Sequence, residues 1–234
     1  MSSSPRQNQL ERLVKKLGIP PNAKVKWDVM DRALCHPSAH AVQHYEHLEF
    51  LGDGVVRLAA AQFLTETYPD LPVGDLAAVR SILVSDQTLA NIAAVYNLDR
   101  YILKTDTVKR DLGVSRRLAE ALEALLGALY LSTQDLSLIR SWLDYHFQDL
   151  AQGVLADPAR QNYKAALQEW TQAQAQSLPD YRVKEIKTQP DADDRFEAEV
   201  WFENQLLAKG WGRSIKLAEQ NAAQKAFLQL PPQR

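Results

Sequence analysis

Three acidic residues, Glu46, Glu49 and Asp53, fall within the apolar run HYEHLEFLGDG (His44 to Gly54) at spacings of three and four. In a helix turning by about 100° per residue, those spacings gather the carboxylates within a sector of roughly 60°. Leu48, Phe50, Leu51, Val55, Val56 and Leu58 cover the rest of the helix, so no broad polar face exists for a solvated charge stripe. An acid among apolar neighbours is costly unless it is paired, hydrogen-bonded or bound to a metal. Oxygen donors on one face suit a hard cation, Mg²⁺ or Mn²⁺. A second pair, Glu120 and Glu123, stands three residues apart in LAEALEALLGALYL (Leu118 to Leu131). Two such helices can meet in a bundle core and build one oxygen-rich cage. Taken alone, the second pair also fits an ordinary glutamate-rich helix, since Glu is a good helix former. His36, His40, His44 and His47 lie nearby, but hard cations prefer carboxylates, so a core or surface role is expected for them rather than zinc binding.

These acids need elements to position them. Residues 9–150 read as successive amphipathic helices, interrupted at Gly18 to Pro21, Tyr68 to Gly74 and the polar stretch Lys104 to Ser115, with no strand-like alternation. That predicts an all-α domain over residues 1–150. Residues 151–162 (from Ala151, with Gly153 and Asp157-Pro158) carry little pattern and are read as a linker. From residue 163 to 231 the periodicity runs α-β-β-β-α: a helix over Tyr163 to Gln174, strands over Tyr181 to Lys187, Phe196 to Phe202 and Gln205 to Gly212, and a helix from Ser214 to Leu230. This second part is a small α+β domain.

Composition limits the alternatives. The 234 residues suffice for one large or two modest domains, and a formal net charge of −2 gives no sign of a general polyanion binder, so nucleic-acid contact must come from local basic patches. Cys35 is alone, which excludes an internal disulfide and fits a small core residue. No apolar run spans a bilayer and the start, MSSSPRQNQLERLVKK, has no hydrophobic signal region; a cytoplasmic protein without membrane association is expected.

HYEHLEFLGDG resembles the signature of the ribonuclease III family, N-x-E-R-L-E-F-L-G-D-S, and LAEALEALLGALY is similar to its second acidic motif, L-A-D-x-x-E-A-L-I-G-A-I-Y. Ala33 to Ser38 (ALCHPS) resembles the family's A-L-T-H-x-S, and Tyr68-Pro69, Gly74-Asp75-Leu76 and Arg80 resemble its Y-P-x-x-x-E-G-x-L-x-x-x-R segment. The C-terminal part resembles a double-stranded RNA-binding domain through Tyr163-Lys164, Leu167-Gln168-Glu169 and the run from Gly210 to Ala223, which is similar to G-x-G-x-S-K-K-x-A-E-Q-x-A-A. Some positions depart. Glu120 stands where Asp is usual, Val73 where the family has Glu, His47 for Arg, Gly54 for Ser and Ile215 for Lys, while Gln189 to Ala192 replaces a loop containing His.

The resemblance implies an endoribonuclease that cleaves double-stranded RNA by metal-dependent phosphodiester hydrolysis, with Mg²⁺ the expected ion and Mn²⁺ able to substitute. It implies 5′-phosphate ends, short 3′ overhangs, ribosomal and messenger RNA precursors as substrates, and a homodimer with Phe50 and Leu51 near the contact. Asp53 and Glu123 carry the catalytic role, Glu49 and Glu120 complete the metal ligands, and Glu46 is auxiliary. Gln168, Glu169, Pro190, Arg213, Ser214 and Lys216 are the expected RNA contacts, on a domain whose ten basic and ten acidic residues between 161 and 234 balance. The alternative is a dimeric RNA-binding protein that kept the fold and lost cleavage, with Glu120 and Val73 deciding between them.

Overall fold

The computed structural model describes residues 4–40, 42–105, 113–157, 159, 162–187 and 192–230. Contacts divide the chain into two units, Met1–Leu155 and Ala156–Arg234.

The first unit is helical, as the periodicity predicts. Its elements are α1 (Pro5–Lys16), α2 (Trp27–Ala33), α3 (Glu46–Thr67), α4 (Val73–Leu83), α5 (Asp86–Val95), a 3₁₀ turn at Leu98–Arg100, α6 (Val114–Thr133) and α7 (Ser137–Ala156). The one extended pairing among its described residues is a bridge between Cys35 and Leu103. α6 buries Leu118, Leu122, Leu125, Leu126 and Leu129 together with four alanines, so it is apolar nearly all round and forms the centre of the unit. α3 lies against it at the distance glycine permits: a Cβ on Gly52 would stand 1.8 Å from the Glu123 carbonyl oxygen, and one on Gly127 would stand 2.4 Å from that of Leu48.

The expected linker begins too early. Residues 151–156 are the last turns of α7, because Ala151 and Val154 face the core while Gly153 lies on the exposed side. A single helical glycine costs about 1 kcal/mol, less than burying a valine contributes.

The second unit follows the expected order: α8 (Tyr163–Ala175), β1 (Asp180–Glu185), β2 (Phe196–Phe202), β3 (Gln205–Gly212) and α9 (Ile215–Phe227). The sheet is antiparallel in the order β1-β2-β3. Alternation sends Ala198 and Val200 inward against Leu167, Ala218, Ala222, Ala223 and Ala226. Glu203 and Asn204 turn the β2–β3 hairpin with φ of 47° and 64°. β1 stops before the predicted Lys187 because the N–H groups of Ile186 and Lys187 both donate to the Arg195 carbonyl, which ends the ladder. Gly210 and Gly212 let β3 touch α9, where added Cβ atoms would lie 2.1 Å from Ala222 N and 2.7 Å from Ala218 N.

Candidate active site

The sequence places Tyr45 just before α3, and three backbone contacts fix that entry. Tyr45 N–H donates to Cys35 O at 3.0 Å, His36 N–H to Leu103 O at 2.9 Å and Leu103 N–H to Leu34 O at 2.8 Å. From there α3 presents Glu46, Glu49 and Asp53 toward α6, which presents Glu120 and Glu123 back. All five line a cavity of about 720 Å³, with His36, Tyr45, Phe50, Asp86 and Arg116 on its walls. The two crossing glycines make this possible, since any side chain at either position would push the carboxylates of the two helices apart.

The acids differ in their partners. Arg57 donates from Nε to both Asp53 oxygens, at 2.8 and 3.0 Å. Glu120 accepts from Tyr45 Oη at 2.9 Å and from Arg116 Nε at 2.6 Å. Glu49 and Glu123 enter no hydrogen bond or ion pair among the described residues and are half-buried. Burial, then the charges of Asp53, Glu49 and Asp86, push the Glu123 carboxyl up to about 8. Burial and the neighbouring Glu120 and Glu46 raise Glu49 as well. Burial and the Glu120 charge likewise raise the Tyr45 hydroxyl, keeping it a donor.

The expected cage is therefore present as residues around one cavity, not as a closed shell. Among the described residues no three Asp, Glu, His or Cys side chains already converge as a metal-binding group. Arg57, Arg116 and Tyr45 hold two of the acids aside, and the other two repel each other. This donor set fits a hard divalent cation, because two half-buried carboxylates that resist ionising together lack a positive charge between them.

Three apolar residues singled out in the sequence lie at the surface. Val73 is 81 % exposed at the start of α4 and lines a separate apolar hollow with Leu64, Leu76 and Arg80, so it takes no part in the acid cavity of its own chain. Phe50, counted with the apolar cover of α3, is 85 % exposed, and Leu58 is 55 % exposed. Asp86 was not found from sequence. It is the first residue of α5, behind the Ser85 N-cap, where the helix dipole favours an anion, and no periodicity on α3 or α6 could have indicated it.

In the second unit Gln168 and Glu169 are exposed on α8, and Arg213, Ser214 and Lys216 are exposed at the start of α9. Ser214 Oγ accepts from Leu217 N–H at 3.2 Å, which caps α9 and leaves Lys216 beside its positive end. Pro190 lies outside the described residues.

Residues 46–134 match the family described as Ribonuclease III domain. Residues 163–230 match that described as Double-stranded RNA binding motif. A Nostoc protein named Ribonuclease 3 2 is 57 % identical over 97 % of this chain and 94 % of its own length. The chain belongs to the ribonuclease III family. Ribonuclease 3 of Gloeobacter violaceus is 44 % identical over 95 % of this chain and 91 % of its own. The solved nuclease domain of ribonuclease III from Campylobacter jejuni is 27 % identical with a TM-score of 0.51, covering 62 % of this chain and 96 % of that domain. The chain is thus an endoribonuclease with double-stranded RNA as its partner, in a family that requires a divalent metal ion. No helix among the described residues is long and apolar enough to cross a membrane.

Proposed function

We propose that the acid cavity is the hydrolytic centre of a duplex-cutting ribonuclease III, with Glu49, Asp53, Glu120 and Glu123 holding Mg²⁺, or Mn²⁺ in its place. The observation that carries this reading is the unpaired, mutually repelling pair Glu49 and Glu123. When bound, the cation supplies the activated water and neutralises charge on the leaving oxygen. Glu123 would give up its proton to hold the cation, Asp53 lines the same cavity as its fellow ligand, and Glu46, exposed at the rim, is the auxiliary acid. α9 docks the duplex through its capped N-terminus, Arg213 and Lys216 facing phosphates while Gln168, Glu169 and Pro190 meet the minor groove.

The products are 5′-phosphate ends with short 3′ overhangs, cut from ribosomal and messenger RNA precursors in the cytoplasm. Two symmetry-related cavities cut the two strands of a duplex, so the working form is a homodimer. Exposed Phe50 on α3 supports that assembly, as does the Campylobacter domain, described as having a region involved in dimer formation. Purified protein incubated with a long end-labelled duplex tests the reading. Short products with Mg²⁺ or Mn²⁺, absent with chelator, are expected; an intact but bound duplex under every condition would favour the non-cleaving binding protein.

A further inference from the structure

We infer that Arg116 is a substrate-positioning residue, seated on Glu120 in the free enzyme and turned to a phosphate of the RNA backbone once a divalent cation occupies the cavity. The inference rests on reading the cavity as the cleavage site.

Both oxygens of Glu120 are taken, by donors of different kinds. Tyr45 is 1 % exposed, so its hydroxyl on Oε2 is fixed by the packing around it. The Arg116 side chain is 83 % exposed, and its contact with Oε1 is an ion pair to a residue one turn along the same helix. A pair this exposed contributes little to stability, and Arg116 can leave by rotating its own side chain without moving α6. A divalent cation sharing Glu120 would stand close to the guanidinium, and the repulsion between them favours that departure.

The guanidinium has a use once released. The cavity walls carry Glu46, Glu49, Asp53, Asp86, Glu120 and Glu123, a surface that repels an RNA backbone. Arg116 is the cation among those wall residues; Arg57 lies a turn further along α3, outside the lining, and is held by both Asp53 oxygens. A planar fork of N–H donors matches the non-bridging oxygens of a phosphodiester. Seated on Glu120, the same group neutralises the acid and competes with the metal.

The experiment compares wild type, Arg116→Ala and Arg116→Lys as full-length proteins. Mn²⁺ titration without RNA, followed by electron paramagnetic resonance, should show Arg116→Ala binding the ion a few-fold more tightly, as a competing cation is gone. In steady-state cleavage, KM for the duplex should rise roughly tenfold with kcat little changed, as expected for loss of one charge-assisted contact. The salt slope of kcat/KM should fall by about one, and Arg116→Lys should recover part of the KM. Weaker Mn²⁺ binding by Arg116→Ala, or a fall in kcat with KM and salt slope unchanged, would mean that Arg116 only orients Glu120 and would overturn the inference. The Mn²⁺ titration reads Arg116 whether or not the wild type cuts, so failure here is separable from failure of the cleavage-site reading.

Discussion

The two units use their charges in opposite ways. On the sheet of the C-terminal unit, Lys184 pairs with Glu197, Lys209 with Glu197 and Glu199, Arg195 with Glu185 and Lys187 with Asp194. Trp201 and Trp211 donate from their indole nitrogens to Glu199 and Glu197. That surface is satisfied internally, and its carboxyls, Glu197, Glu199 and Asp194, titrate below their ordinary range because lysines lie against them. In the acid cavity of the helical unit, Glu49 and Glu123 enter no ion pair among the described residues and titrate above it. Charges that complete one another need no ligand, whereas charges packed with their own kind do. Within the RNA-binding unit, the start of α9 differs from the sheet in that Arg213 and Lys216 enter no ion pair among the described residues.

The strongest way to break this contrast is at Glu123. Glu123→Gln keeps the shape and removes the charge, so cleavage should fall by more than ~100-fold, since loss of even an outer partner of a metal ligand costs about 10–100-fold. Duplex binding, measured by gel shift in parallel, should stay near wild type because Glu123 is none of the proposed docking residues. Wild-type cleavage by this variant would remove the acid cavity from the chemistry.

A second test addresses how the cavity is built. Gly52→Ala drives a Cβ into the Glu123 carbonyl, whereas Gly54→Ala, two residues on, meets nothing within 4 Å. The first should lose about 1–3 kcal/mol of stability through overpacking, and the second should be neutral or slightly stabilising, since alanine is the better helix former. Equal melting temperatures for the two variants would show that the α3–α6 crossing does not depend on backbone contact.

The fold was legible because both units announce themselves by period. The change from 3.6-residue to 2-residue spacing near residue 180 is a local signal, and so are the acids three and four apart on α3 and α6. The closing of the cavity was less legible. Gly52 and Gly127 matter through a crossing partner distant in sequence, and Tyr45 reaches Glu120 across 75 residues. Asp86 arrives from a third helix. Glu120 illustrates the limit most directly: read alone it is a glutamate where the family has aspartate, while in the structure its two oxygens accept from Tyr45 and Arg116. The acid count was visible in the residues, but their partners required the packing.

The start of α9 can be sharpened with a pair of lysines on one helix. Lys216 stands at the capped end, whereas Lys225 lies in the last turn over the Trp211 ring at 4.5 Å. Lys216→Ala should weaken duplex binding roughly tenfold and reduce the salt slope by about one, as for one lost phosphate contact. Lys225→Ala should change binding little and act instead on the packing of Trp211. Equal losses at one salt concentration would place the RNA elsewhere on the domain.

The smallest effect concerns protons in the metal-free protein. Glu123 holds its proton up to about 8 when folded, against an ordinary value of 4.5, and Glu49 shifts the same way. Between those values the folded state binds more protons than the unfolded one, so this stabilising contribution is complete below about pH 4.5 and lost as pH rises through 8. His146, lowered by burial, works in the opposite direction near neutrality, since its neutral folded form gains as pH rises. The lowered carboxyls of the sheet act only in more acidic solution. Comparing wild type with Glu123→Gln removes those shared contributions, because the amide is a permanent stand-in for the protonated acid. The melting temperature of the variant should therefore exceed that of wild type by a margin that widens from pH 5 to pH 8. Added Mg²⁺ or Mn²⁺ should close the margin at pH 8, the ion taking the place of the proton. Parallel melting curves across that range, insensitive to either ion, would mean that Glu123 is ionised at ease in the free protein and that the cavity has no charge for a metal to complete.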